Sequence, residues 1–284
     1  MGFVTRRCDV TISKVCYFTF ISNNKKVILM KKAFYFRMII TMVITMGFAK
    51  VAMANEPSLC IVDGVVYFTW NIDGTGTLHV TPLEATTSNF DKSPFYKYRD
   101  QIKNVVIEND FYCEEGFKTI GKNLFKGLDK LESVQLTSSI RTIGESAFEG
   151  CESLKEIVIP ETVESIGRNA LKGCSSLTAV SLPFLGYNGA IWVSQTDKND
   201  LSWIFGTSKG KEYYTVSHAI GNKTMSFSLP VSLKSFTITG GILCNDAFEN
   251  CVSLENVSLG KDTKSVPPAL VAGYYSSMSF NSEQ

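Results

Sequence analysis

A chain of 284 residues, 44% apolar and 19% charged, carries enough hydrophobic material for a packed core, which excludes wholesale disorder. Its formal charge of +1 hides an asymmetry: positions 1–54 hold nine of the 28 basic residues and one of the 27 acidic ones, leaving a body of net charge −7. A body of that sign lacks the basic face on which phosphate-backbone binding rests, so nucleic acid is excluded as a partner.

The first segment reads as targeting. Lys31, Lys32 and Arg37 precede the apolar run Met38 to Phe48, and Ala52-Met53-Ala54 supplies small residues at the cleavage offsets. Residues 30–54 are therefore expected to be a secretory signal peptide cut before Asn55, with Met30 the natural initiator and residues 1–29 an upstream extension or artefact. Leu59 before Cys60 stands where a lipoprotein signal wants a small residue, which argues against a lipid anchor. The apolar run is short for a permanent span, and no later segment reaches eighteen apolar residues. The expectation is a secreted or cell-surface protein with no membrane span once the signal is removed.

Residues 60–81 alternate short apolar runs with the turn dipeptides Asp63-Gly64 and Asp73-Gly74, a pattern suited to hairpins and to a small N-terminal β cap over residues 55–100. The stretch Asn71 to Thr77 looks like a calcium loop only superficially. It lacks the spaced carboxylates and closing glutamate such a loop needs, so it reads as a plain turn.

Internal repeats begin next. Residues 120–142, 143–165 and 166–183 align as IGKNLFKGLDKLESVQL, IGESAFEGCESLKEIVIP and IGRNALKGCSSLTAVSLP over their conserved parts, and a displaced copy, CNDAFENCVSLENVSLG, runs from Cys244 to Gly260. Each contains L-x-x-L-x-L: Leu131, Val134, Leu136; Leu154, Ile157, Ile159; Leu177, Val180, Leu182; Leu254, Val257, Leu259. In a strand the last two apolar positions share a face, while the residue between them points outward. One such strand cannot bury its apolar side, but parallel copies stacked along an axis can. The same signature at Ile102, Val105, Ile107 and at Leu233, Phe236, Ile238 extends the array. The Ala-Phe or Ala-Leu pair of each unit is expected to pack one helical turn beneath the sheet. The expected fold is a repeat solenoid, a right-handed coil with a parallel β-sheet and short helical or 3-10 turns. Its organisation is 55–100 cap, 101–183 repeats, 184–232 insertion or enlarged repeat, 233–264 repeats, and 265–284 an irregular end.

The units from Ile143 to Pro183 resemble the BspA-like leucine-rich repeat family, whose repeats run I-G-x-x-A-F-x-x-C-x-x-L-x-x-I-x-I-P; FTWNIDGTGTLHV from Phe68 and SPFYKYRDQIKNVVI from Ser93 are similar to that family's N-terminal segment. Leu128 replaces the cysteine in the first unit, and Val266 to Tyr275 fits only loosely. The resemblance implies surface attachment and binding to host or matrix proteins.

Catalytic signatures are missing from the sequence. His79 and His218 are far apart and lack metal-ligand spacing, and there is no nucleophile elbow, phosphate loop or dinucleotide fingerprint. No catalytic residue, metal or cofactor is assigned. Cys151, Cys174 and Cys251 occupy one slot of successive units, which points to buried free thiols in place of a disulfide framework.

The candidate binding face is the outward stripe of the strands: Ser133, Gln135, Glu156, Val158, Ala179, Ser181, Asn256 and Ser258. A second candidate is the aromatic insertion, with Trp192, Trp203, Tyr213 and Tyr214. These rings either hold down an enlarged repeat, the reading LSWIFG at 201–206 favours, or form a platform for glycan. Three functions follow: an exported adhesion or protein-binding module using the stripe, a carbohydrate-binding protein using the insertion, or a structural fragment of a larger surface protein.

Overall fold

The computed structural model describes residues 58–62, 65–82, 89–108, 118–188, 201–220, 223–243, 247–264 and 279–282, all within the compact unit Ala54–Gln284. The targeting segment, Trp192, Cys113, Cys244 and most of the irregular end lie outside the described residues.

The first three strands, β1 (Ser58–Val62), β2 (Val65–Ile72) and β3 (Thr77–Pro82), form an antiparallel meander. Asp73 closes the β2–β3 turn by accepting the Thr75 and Thr77 backbone N–H groups on Oδ1, at 2.8 and 2.9 Å. From β3 onward pairing is parallel. β4 (Asn104–Ile107) lies beside β3, and β6 (Ser133–Gln135) beside β4. β8 (Glu156–Val158), β10 (Ala179–Leu182), β13 (Ser235–Ile242), β14 (Asn256–Lys264) and β15 (Ser279–Ser282) continue as a second parallel sheet. Across the step from β6 to β8 the Lys155 N–H donates to the Glu132 carbonyl at 3.3 Å, so the stacking carries through. The meander thus caps a solenoid whose coils each contribute one strand to this face.

On the next side of each coil, β5 (Thr119–Ile120), β7 (Thr142–Ile143) and β9 (Ser165–Ile166) make a narrow parallel sheet, the extended piece that the Ile-Gly dipeptides close. The glycine is required by its neighbour. A Cβ on Gly144 would sit 2.6 Å from the Lys122 backbone nitrogen, because Gly144 N–H donates to the Ile120 carbonyl of the previous coil at 2.7 Å.

Each Ala-Phe or Ala-Leu pair sits in a tight turn with single i→i+3 bonds, such as Cys151 N–H to Phe148 C=O at 3.2 Å, and stops short of a full helical turn. Left-handed residues bracket the pair: Asn123, Ser146 and Asn169 before it at φ 55–59°, Gly127, Gly150 and Gly173 after it at φ 72–79°. Asn250 fills the glycine slot in the displaced unit, at φ 59°, a conformation asparagine tolerates better than most residues. These turns form their own ladder. Phe125 N–H donates to Ala147 C=O and Phe148 N–H to Ala170 C=O, at 2.9 and 3.0 Å.

Between the ladders lies one continuous core. Ile102, Val105, Leu131, Leu154, Ile157, Leu177, Val180, Leu233, Phe236, Leu254 and Val257 are all at most 2% exposed, each contributing on the order of 1.5–3 kcal/mol of burial. Val134 and Leu136 are only partly buried but pack against it. Phenylalanines form a spine under the turns: Phe95, Phe125 and Phe148 stack with centroids 5.8 and 5.5 Å apart. Ser93-Pro94-Phe95 therefore supplies the first turn, with Ser93 Oγ donating to the Leu124 carbonyl at 2.7 Å. Outside the core, ion pairs link equivalent positions one coil apart: Lys122–Glu145, Lys126–Glu149, Glu132–Lys155 and Lys234–Glu255, at 2.7–3.1 Å.

Residues 184–232 enlarge one coil. The short helix α1 (Leu201–Phe205) takes the place of the next turn: its Trp203 and Ile204 carbonyls accept the Asn169 and Leu171 N–H groups at 2.7 and 3.1 Å. A hairpin follows, β11 (Tyr213–Ile220) paired antiparallel with β12 (Lys223–Pro230), pinned by the buried side chains Val216, Phe227 and Leu229. No helix of the described residues is long and apolar enough to cross a membrane.

Candidate functional site

Parallel pairing places the outward residues of successive strands in two straight rows. The first runs Thr77, Asn104, Ser133 through β3, β4 and β6, then Glu156, Ala179, Ser235, Asn256 through the second sheet. The second runs His79, Val106, Gln135, then Val158, Ser181, Thr237, Ser258. All eight sequence-assigned stripe residues fall in these rows. Asn104, Val106, Ser235 and Thr237 join them by register, although the strands carrying them were recognised only by their inward residues.

The rows are small and polar. Ser133 Oγ donates to Asn104 Oδ1 at 2.7 Å, so neighbouring positions within a row hydrogen-bond to each other. Ser133, Gln135, Glu156 and Asn256 are exposed, while Ala179, Ser181 and Ser258 are half-buried. Val106 and Val158 are the larger apolar side chains in the rows, and Val158 stands out by being 63% exposed in the middle of the surface.

At the cap end the second row finishes in a charged cluster. His79 Nδ1 lies 2.7 Å from Glu108 Oε1, and its Nε2 lies 3.2 Å from Asp73 Oδ2. The Glu108 hydrogen bond, more than the one to Asp73, raises the His79 pKa against a partly opposing desolvation. Hydrogen bonds from Thr75 and Thr77, with His79 adding to them, hold the Asp73 carboxyl well below the ordinary range. With both ring nitrogens engaged by carboxylates, His79 is tied into structure and is poorly placed to serve as a base.

The aromatic insertion divides. Trp203 is partly buried and spends its indole N–H on the Ile166 carbonyl at 2.8 Å, with Tyr187 against it at a centroid distance of 6.0 Å. Tyr214 is partly buried and shares a hydrogen bond with Ser253 Oγ at 2.8 Å. Tyr213 is half-buried at the base of the hairpin, paired in register with Pro230. Desolvation raises the pKa of both tyrosines. Trp203, Tyr213 and Tyr214 are each partly buried, and the His218 side chain lies outside the described set.

Cys60, Cys151, Cys174 and Cys251 are buried free thiols. Cys151 and Cys174 donate S–H to the carbonyls of Phe125 and Phe148, at 3.3 and 3.2 Å. Burial pushes the Cys174 thiol up to about 12. Among the described residues no group of three His, Cys, Asp or Glu side chains is arranged to hold a metal ion.

The family model described as BspA type Leucine rich repeat region matches residues 89–185 and 218–281, in six copies. No functionally curated protein matches the sequence. Among solved structures, a leucine-rich repeat protein of T. pallidum is similar at 17% identity, covering 76% of this chain and 95% of its own, with a TM-score of 0.39. The pneumococcal vaccine antigen PcpA is similar at 17% identity over 80% of this chain and 48% of its own, with a TM-score of 0.40. A leucine rich cell surface protein from Faecalibacterium prausnitzii is similar at 15% identity over 76% and 74%, with a TM-score of 0.26.

Proposed function

This chain belongs to the BspA type leucine-rich repeat family, and we propose that it is an exported, non-enzymatic binding protein that engages a protein partner at the cell surface through the two outward rows. The observation that carries this reading is the registry of the rows. Parallel pairing at the ordinary strand spacing of about 4.8 Å makes a regular array of small side chains, over which a partner can lie without steric obstruction. Val158 supplies an apolar anchor at the centre, with Ser181 beside it, and a buried central anchor surrounded by polar contacts is how protein interfaces concentrate their binding energy.

Export is supported by the charged, apolar and small-residue order of residues 30–54. A non-enzymatic role is supported by the engagement of His79 on both nitrogens and by the inertness of the buried thiols. The assignment to surface adhesion is drawn from the family and is tested directly. The full chain is immobilised, and binding is measured against a panel of extracellular-matrix proteins and against envelope fractions of the producing cell. Saturable binding to a defined protein that is lost in Val158→Arg and Ser181→Arg, with unchanged thermal unfolding, is the expected result. Binding that survives both substitutions discards the stripe. Binding to neither panel favours a structural repeat block within a larger surface assembly.

A further inference from the structure

A small cavity opens on the turn side of the solenoid, away from the two rows, where α1 replaces a repeat turn. Its volume is about 160 Å³, comparable to cavities that hold one six-membered ring. We propose that this cavity binds a single carboxylated sugar unit, of the uronate class, independently of the protein-binding rows.

The wall chemistry selects that ligand. Arg168 and Lys172 are the charged side chains in the lining, and among the described residues that line the cavity there is no carboxylate. Lys172 is committed to Glu149 at 3.4 Å. Arg168 is exposed, and among the described residues no carboxylate lies within ion-pair distance of it, in a body whose acidic residues outnumber the basic. Its guanidinium stands 5.9 Å from the Trp203 ring centroid, which restrains it beside the opening. A planar fork held in this way matches the two oxygens of a carboxylate.

The remaining lining is that of a sugar site more than of a bare anion site. Asn169, Thr207 and Ser226 bring amide and hydroxyl groups around one indole, a mixture suited to ring hydroxyls and ring carbons together. The opening depends on Gly206. That residue holds φ +55°, and a Cβ there would run into Asn169 Oδ1 on the opposite wall. The Trp203 N–H bond to the Ile166 carbonyl then fixes the indole in place.

Isothermal titration calorimetry of the full chain with glucuronate, methyl glucoside and acetate tests the site. Saturable glucuronate binding, at least about tenfold tighter than either methyl glucoside or acetate, is expected from the joint use of fork and ring. Arg168→Gln, an exposed position, weakens glucuronate by about tenfold, and Thr207→Trp, also exposed, blocks the cavity while leaving the unfolding temperature unchanged. Acetate binding as tightly as glucuronate overturns the sugar assignment, and methyl glucoside binding as tightly overturns the carboxylate assignment. Absence of saturation, or glucuronate binding indifferent to both substitutions, overturns the site. None of these outcomes bears on Val158 or Ser181, so the row-based reading stands or falls separately.

Discussion

His79 Nδ1 on β3 and Glu108 Oε1 just beyond β4 lie 2.7 Å apart, fastening the antiparallel cap to the first coil of the parallel stack. The Glu108 N–H to Val80 carbonyl bond, at 2.9 Å, ties the same two strands through the backbone. Because the folded pKa of His79 is raised above its unfolded value, the charged clasp contributes fully below about pH 6.5. Its contribution fades as pH climbs through the raised value. The gain is about 1 kcal/mol or less, since the pair is open to solvent. Thermal unfolding of His79→Gln should therefore fall below wild type at pH 5.5 and converge on it by pH 9. A constant difference across that range would remove the charge from the explanation.

Gly167 predicts a second outcome. Its N–H donates to the Ile143 carbonyl at 2.7 Å, and a Cβ at this position would collide with the Glu145 backbone nitrogen of the preceding coil. Backbone cannot swing aside as a flexible side chain does. Gly167→Ala is expected to cost about 1–3 kcal/mol as overpacking, measured by denaturant midpoint with unchanged slope. A neutral substitution would mean that neighbouring coils slide apart freely at the Ile-Gly corner.

These two sites mark how far the sequence is legible. The strands show because an apolar side chain must recur at every second position to reach the core, and Ile157 with Ile159, or Val180 with Leu182, does so at a constant 23-residue offset. The Ile-Gly dipeptide is visible as a repeat, yet its cause is the backbone of another coil. His79 and Glu108 are 29 residues apart across the junction of cap and array, where no period relates one strand to the next. The β11–β12 hairpin is missed for a different reason: the density of Trp192, Trp203, Tyr213 and Tyr214 draws attention to aromatics. Alternation on either side of Gly221-Asn222, a recognised hairpin dipeptide, is the signal that finds it.

Phe148 tests the spine. It is fully buried and stacks on Phe125 with an interplanar angle of 18°. Phe148→Ala should cost about 3–5 kcal/mol, combining lost transfer energy with an unfilled space. Calorimetric unfolding would register this as a depression of several degrees; a loss below about 1 kcal/mol would show that the coils collapse around the gap.

The thiols give a kinetic test. Cys151 and Cys174 are fully enclosed, and burial holds both in the neutral form, Cys174 at about 12. Alkylation needs thiolate and access. At pH 8 iodoacetamide should leave Cys151, Cys174 and Cys251 unmodified in the native protein and label them all on unfolding without reductant. Peptide mass mapping reads this out. Native labelling at Cys174 would indicate local opening of the turn ladder, and failure to label after unfolding would indicate a disulfide.

Glu149 carries the last prediction, because it joins three coils. Its carboxylate lies 2.8 Å from Lys126 Nζ on one side and 3.4 Å from Lys172 Nζ on the other. Burial pushes its pKa up, but hydrogen bonds from Lys126 and Ser146 and the charges of both lysines outweigh that and hold it below the ordinary value. A depressed carboxylate contributes stability above its unfolded pKa and loses it as pH falls through the folded one. Glu149→Gln should accordingly unfold earlier than wild type at pH 7, by about 1 kcal/mol or less, and match it near pH 3. Raising the salt at pH 7 should shrink the difference only partly, because the carboxylate is 19% exposed while its lysines reach solvent. Complete loss of the difference in salt would reduce Glu149 to an ordinary surface charge, with no part in holding the turn ladder together.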